Sequence, residues 1–234
     1  MPDFGALDWS TILLLYGTLL VSLVVHEAAH AWLALLGGDT TAYVGGQVTL
    51  NPVPHIQREP FGTVILPLGV LVLSNGTMCF GFAHAPYDPH WAWAHPKRAA
   101  LMSAGGPLAN ILLAILAFAV LKTMVLTGAA VTVDRYSPLV MLDPASGVDS
   151  GPLMAGIKMA SAFLLLNVLL ALINLIPLPP FDGAGIVEGL ARKTAGFYNF
   201  VRGQFVVMIL VMLLIMRVLP DIFFPVMRWI TDWL

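Results

Sequence analysis

Residues 11–36 read TILLLYGTLLVSLVVHEAAHAWLALL. The run is apolar apart from Ser22 and the group His26, Glu27 and His30. A membrane-spanning helix needs about 20 apolar residues, and this run is long enough. Gly37-Gly38-Asp39 supplies the stop. On a helix, residues four apart share a face, so His26 and His30 point the same way. Glu27 lies about 100° round the axis. HEAAH matches H-E-x-x-H, in which two imidazoles hold one metal ion and the glutamate acts as general base on a water beside it. Ionisable groups at the centre of a membrane helix cost about 2.5–3.5 kcal/mol each and mark function.

The rest of the composition agrees with a membrane setting. Hydrophobic residues make up 59% of the 234 and charged residues 10%, against roughly 25% charged in a soluble domain. Mean hydropathy is +0.87. The net charge of -2 offers no basic field for nucleic acid. The lone cysteine, Cys79, rules out an intramolecular disulfide and any zinc site of several thiolates. A metal here must be held by His, Asp or Glu. The start, MPDFGALDWS, is acidic where a signal peptide is basic, so the first span reads as retained.

Outward from that span, Thr40 to Pro60 carries β-branched residues, a glycine pair and prolines, and reads as a short hairpin or loop. Thr63 to Phe82 is apolar but interrupted by Pro67, Gly69 and Ser74-Asn75-Gly76. Ala83 to Arg98 is a polar connector. Ala99 to Leu121 is a clean span with small residues near its start, which allow close helix packing. Lys122 to Lys158 is the longest polar stretch, with Asp134, Arg135, Asp143 and Asp149. Met159 to Leu178 and Phe200 to Leu219 are further spans, and Asp221 to Leu234 looks interfacial through Trp229 and Trp233. The expected fold is an all-α polytopic membrane protein with about 4–6 transmembrane helices and a short re-entrant β-like loop near residues 40–60. It forms one membrane-embedded domain over residues 1–234, with a core at about 10–190 and a C-terminal helix and tail at 200–234.

A catalytic zinc takes three protein ligands and one open position. Cys79 is a weak third candidate in an apolar run. Asp182 follows a span broken by Pro177, Pro179 and Pro180. Broken backbone at membrane depth is tolerated where it lines a cavity or lies within protein. Asp182-Gly183 therefore reads either as a carboxylate facing water or metal, or as a turn at the membrane surface. The loop histidines His55, His84, His90 and His95 are poor ligand candidates, and Met208, Met212 and Met216 read as packing or lipid-facing surface. Glu188 and Arg192, four apart, read as a surface pair.

HEAAH, followed far downstream by Asn174-x-x-Pro177-x-x-x-x-Asp182-Gly183, resembles the site-2 protease family of intramembrane metalloproteases. GGQVTLNPVPH at 45–55, Gly81-Phe82-Ala83-His84-Ala85-Pro86 and SAGGPLAN at 103–110 look like the same family, so the likeness covers Val21 to Gly189. Phe82-Ala83-His84 stands where that family often has Trp-Ala-Lys. The resemblance implies Zn2+ held by His26, His30 and Asp182, with Glu27 as base. It implies a transmembrane protein as substrate, cut within the lipid bilayer, and a place for Asn174 against substrate backbone or the oxyanion. No segment is long enough for the PDZ or CBS domain of many members, so a minimal form is expected. The alternatives are a divalent-metal transporter or sensor, and an inactive homologue that binds membrane helices. The first would show further intramembrane ligands or an inverted repeat.

A topology follows from the ligand set. His26 and His30 lie in the second half of the first span, and Asp182 follows the end of the Met159–Leu178 span. For these to meet away from the midplane, the two spans run parallel, so Thr63 to Phe82 is expected to be re-entrant; the alternative is two full crossings with the metal near the midplane. Arg58, Lys97, Arg98, Arg192, Lys193 and Arg202 then lie on one side, and Lys122, Arg135, Lys158, Arg217 and Arg228 on the other. The first set is concentrated in shorter loops, which favours the cytoplasm. The expectation is a multi-pass protein of a prokaryotic cell membrane with its zinc site nearer the cytoplasmic side. Tyr43 to Leu50, through its β-branched residues, is a candidate for strand pairing with an unwound substrate.

Overall fold

Asp8 starts the first helix. Its carboxylate accepts from the Thr11 amide at 3.1 Å and from the Ser10 and Thr11 hydroxyls at 2.6 Å, filling helix-terminal donors that would otherwise lack a partner. Helix α1 runs Trp9–Leu36, and Gly38, at φ +96°, turns the chain away. The computed structural model describes residues 7–137, 139–147 and 150–234. The acidic start at Pro2–Gly5 and Asp149 lie outside the described residues, as does the side chain of Arg135.

Segment 40–60 holds no strand. Helix α2 (Thr41–Val44) and helix α3 (Pro52–Arg58) occupy it instead. Local capping outweighs the β-branched content. Gly46, at φ +72°, ends α2. Asn51 accepts from the Val53 amide at 3.0 Å, with Pro52 pre-set at the first helical position. Residues 45–51 between them are turn, bend and irregular chain.

The next segment doubles back. A π-helical turn, Phe61–Ile65, leads into α4 (Leu66–Leu73), and this helix meets α3 at 110°. Asn75 (φ 51°) and Gly76 (φ 74°) reverse the chain. The returning Phe82 amide donates to the Gly62 carbonyl at 3.1 Å, so the two ends of the segment lie side by side. A Cβ on Gly62 would come 2.2 Å from the Phe82 oxygen, which makes glycine necessary there. The chain then returns to the end of α1. The Asp88 amide donates to Asp39 Oδ2 at 2.8 Å and the Trp91 indole to the Gly37 carbonyl at 3.0 Å. Trp91 belongs to the short helix α5 (Pro89–Ala94).

Helix α6 (Pro96–Leu126) begins beside the end of α1 and runs antiparallel to it. Its Gly105 packs on Ala29 and Leu33 of α1. Strands β1 (Ala130–Ser137) and β2 (Val140–Pro144) pair antiparallel, Ala130 opposite Pro144, within the long polar stretch from Lys122 to Lys158. Helix α7 (Ser150–Asn174) returns antiparallel to α6: Gly156 approaches Met124, and Asn167 meets Asn110. So α1 and α7 run parallel, with Leu15, Leu19 and Leu23 packed against Ala162, Leu166 and Leu170. Helix α8 (Asp182–Leu190), a 3-10 turn and α9 (Ala195–Gly203) follow at the α1 C-terminal end.

Helix α10 (Phe205–Thr231) continues through Pro220 and Pro225, where a separate interfacial tail was expected. Phe223, Met227 and Leu234 are buried against the cluster of Leu121, Ile157 and Leu164, which holds the second half of the helix in place. Extended Gln204 separates α10 from α9, so Phe200 falls in α9. Glu188 pairs with Arg202 at 2.6 Å and not with Arg192, because α8 ends at Leu190 and Arg192 lies beyond the break. Among the described residues, α1, α6, α7 and α10 are the four helices long and apolar enough to cross a bilayer. The chain is a multi-pass, all-α membrane protein with one small sheet.

Candidate metal centre

The i, i+4 spacing on α1 brings the His26 and His30 rings to 4.6 Å between centroids. His30 Nδ1 lies 2.7 Å from the Met102 carbonyl, which can only accept, so this nitrogen carries the hydrogen and donates. His26 Nδ1 donates to Asn110 Oδ1 at 2.5 Å. Both rings therefore turn a lone pair on Nε2 toward the same point, 3.0 Å apart.

Asp182 completes the set from α8. Three contacts place it. Gly183 lies against the Leu175 and Ile176 carbonyls just beyond α7, where a Cβ would sit at 2.4 Å. Gly185 packs on Ser103, and Gly189 on Ala100 and Pro96, all of α6. Small residues of this kind let helices approach within lipid. Asp182 Oδ2 then stands 3.1 Å from His26 Nε2 and 3.3 Å from His30 Nε2, and no donor reaches it.

Three electron pairs thus face one another across a buried space, an arrangement that repels unless a cation lies between them. The geometry suits one. A tetrahedral site with bonds of about 2.0–2.1 Å puts its ligand atoms roughly 3.3–3.4 Å apart, close to the 3.0–3.3 Å seen here. Gly106 of α6 leaves the room: a Cβ on it would lie 2.3 Å from His30 Nε2 and 2.4 Å from His26 Nε2. Two imidazoles and a carboxylate are a zinc-type donor set.

Glu27 is 3% exposed. Its Oε1 is 3.9 Å from His26 Nε2, farther than Asp182, and its Oε2 is buried with no partner. Those distances set the Glu27 carboxylate beside the three converging atoms and not among them. Asn174 is half-buried at the end of α7, and its Nδ2 donates to the Leu170 carbonyl at 2.9 Å. The other sequence candidates lie apart: His55 meets the Thr49 carbonyl, His84 pairs with Glu59, and Cys79 lies near the Leu15 carbonyl. His26, Glu27 and His30 have ligand atoms within 4.8 Å of one another, and Asp182 Oδ2 lies nearer to His26 Nε2 than Glu27 does.

Sequence reading assigned no role to Asn110, Gly106 or the Met102 carbonyl. Asn110 had a signal, an amide inside a long apolar run. Gly106 and a backbone carbonyl carry none. Beside the site, Val48, Thr49 and Leu50 face Val25, Ala28, Ala29 and Trp32 of α1 across a cavity of about 310 Å3. The amides of Val48, Thr49 and Leu50 donate to no protein group among the described residues.

The sequence model of peptidase family M50 matches residues 14–218. A Bacillus subtilis protein named "Putative zinc metalloprotease YwhC" is 35% identical over 174 residues, covering 74% of this chain and 67% of that one. A Mycolicibacterium smegmatis protein named "Putative zinc metalloprotease Rip2" is 30% identical over 214 residues, covering 91% of this chain and 71% of that one. Its Mycobacterium tuberculosis namesake is 29% identical over 213 residues, with the same coverage of 91% and 71%. No solved structure matches the chain at comparable stringency.

Proposed function

Since the chain belongs to peptidase family M50, a family of membrane metalloproteases, we propose that it hydrolyses peptide bonds within transmembrane segments of protein substrates. In this reading His26, His30 and Asp182 hold zinc, and Glu27 is the general base. The observation that carries it is the convergence of Nε2, Nε2 and Oδ2 to within 3.0–3.3 Å, with the carboxylate of Glu27 alongside. His26 lies ten residues from the end of α1, roughly 15 Å along the helix at 1.5 Å per residue. That depth supports cleavage inside the bilayer.

Bound zinc supplies Lewis acidity, lowering the pKa of water and polarising the scissile carbonyl. Glu27 takes a proton from the attacking water. The water oxygen bonds to the carbonyl carbon, the C–N bond breaks, and Glu27 returns the proton to the leaving nitrogen. Burial keeps the Glu27 carboxylate free of competing donors. Asn174 Nδ2 keeps a second hydrogen beyond the one given to Leu170, available to substrate backbone or an oxyanion.

A substrate helix keeps its amides hydrogen-bonded in lipid and must unwind before attack. The unpartnered amides of Val48 to Leu50 support strand pairing with the unwound segment. Tyr43, the start of the expected strand, is helical and takes no part.

Incubation of the purified, zinc-loaded protein with a transmembrane peptide tests the proposal. Cleavage is expected, and its loss on chelation and recovery on zinc addition. Stoichiometric zinc binding with no cleavage of any membrane peptide would point to a carrier or sensor and overturn it.

A further inference from the structure

Behind His26 lies a second layer of polar groups that neither ligates nor faces the cavity. Asn110 on α6, Asn167 on α7 and Ser22 on α1 are each 0% exposed. Asn167 Nδ2 donates to the Phe163 carbonyl and to Ser22 Oγ, both at 2.9 Å. The Ser22 hydroxyl donates to the Thr18 carbonyl at 2.8 Å. Asn110 Nδ2 donates to Asn167 Oδ1 at 2.8 Å and approaches the Ser22 carbonyl at 3.5 Å.

The far ends of this chain of bonds are backbone carbonyls, which can only accept. That fixes its direction. Phe163 requires the NH2 of Asn167 on its side, so Asn167 turns its oxygen toward Asn110. Asn110 must then offer its NH2 to Asn167 and its oxygen to His26. An oxygen at His26 Nδ1 requires the hydrogen there and leaves the lone pair on Nε2. Reversing either amide would set like groups against each other in a dry interior, where an unmet polar group costs about 1–3 kcal/mol.

We propose that Asn167, through Asn110, sets the tautomer and orientation of His26, so that a residue of α7 governs the metal affinity of a ligand on α1. Asn167 is a positioning residue. It touches neither the three ligand atoms nor the cavity, and removing such an outer partner lowers metal affinity by about 10- to 100-fold. The inference rests on the proposed zinc site.

The test is zinc affinity of the full chain, by competition with a chelator, for wild type and four variants. Asn167→Leu leaves the Asn110 amide only the long 3.5 Å contact to the Ser22 carbonyl to orient it and is expected to weaken binding about 10- to 100-fold. Ser22→Ala leaves Asn167 held by Phe163 and should stay within about threefold of wild type, a change under 1 kcal/mol. Asn110→Asp offers His26 only acceptor oxygens, whatever Asn167 does. The double variant Asn110→Asp/Asn167→Leu should therefore bind more tightly than Asn167→Leu alone, a rescue that a purely structural role would not produce. Electronic spectra of the cobalt-loaded forms report the same restoration of coordination. Wild-type affinity in Asn167→Leu, or a double variant no better than that single, overturns the inference. Should Asn167→Leu fail to fold, the smaller Asn167→Ala takes its place in both comparisons: wild-type affinity, or no gain on adding Asn110→Asp, overturns the inference. Failure of wild type to bind zinc would instead sink the site assignment.

Discussion

At the scale of single residues, Gly106 leaves the space beside both Nε2 atoms that a metal ion would need. Gly106→Ala puts a methyl group within bonding distance of both Nε2 atoms. It should lower zinc affinity by about 10- to 100-fold or more, and cost the metal-free protein about 1–3 kcal/mol, because the two buried rings that the methyl group meets are held by Asn110 and the Met102 carbonyl. Zinc content after dialysis, with melting in chelator, checks both parts. Glu27→Gln should keep zinc but cut turnover by about 10²–10⁴-fold. Full turnover in the zinc-loaded variant would remove Glu27 from the role of base. His26, Glu27 and His30 were legible in the sequence because helix geometry alone puts positions four apart on one face. Asp182 was half-legible, since the prolines before it marked broken backbone but not its direction. Gly106 was illegible because its contribution is the absence of a side chain.

At the scale of elements, the clasp between the α1 terminus and α5 joins the two ends of the doubled-back segment. Asp39 is 4% exposed and accepts from the Thr41 amide, the Thr41 hydroxyl and the Asp88 amide. Burial alone would raise its pKa, but these hydrogen bonds outweigh it and hold the carboxyl below its usual value. A depressed folded-state pKa stabilises fully above the unfolded value of about 3.9 and is lost as pH falls through the folded value. Melting curves should show wild type losing stability below about pH 4, and Asp39→Ala, already weaker by about 1–3 kcal/mol, losing less there. Equal acid sensitivity in the two proteins would refute the clasp. The interrupted apolar pattern of 63–82 made its reversal legible. Helices α2 and α3 were not legible because Asn51 and the Gly45-Gly46 pair act through capping and turn geometry, whereas the β-branched content of the segment points to strands.

At the scale of the molecule, the parallel run of α1 and α7 is what lets histidines from one helix meet an aspartate carried just beyond the other. It was legible from the ligands' depth in their spans. The β1–β2 hairpin was not, because eight- and five-residue strands inside the long polar stretch from Lys122 to Lys158 give little periodic signal. Arg98 bonds the Gly37 carbonyl, Arg192 the Trp93 carbonyl, and Arg202 pairs with Glu188, so basic residues gather at the α1 C-terminal end. In a Cys79→Ala background, cysteines at exposed Tyr43 and His90 should label from the same side, and one at Val131 from the opposite side. Labelling of Tyr43 and His90 from opposite sides would mean that the doubled-back segment crosses the bilayer completely.

The convergence of two imidazoles and one carboxylate on a single metal is tested most directly by zinc X-ray absorption on the loaded protein. One zinc per chain is expected, with two imidazole nitrogens at about 2.0–2.1 Å, carboxylate or water oxygen at about 2.0–2.2 Å, and no sulfur. The same measurement on Asp182→Ala should keep both imidazoles and lose the protein oxygen. A wild-type spectrum with fewer than two imidazoles, or one unchanged by removing Asp182, would contradict the site described here.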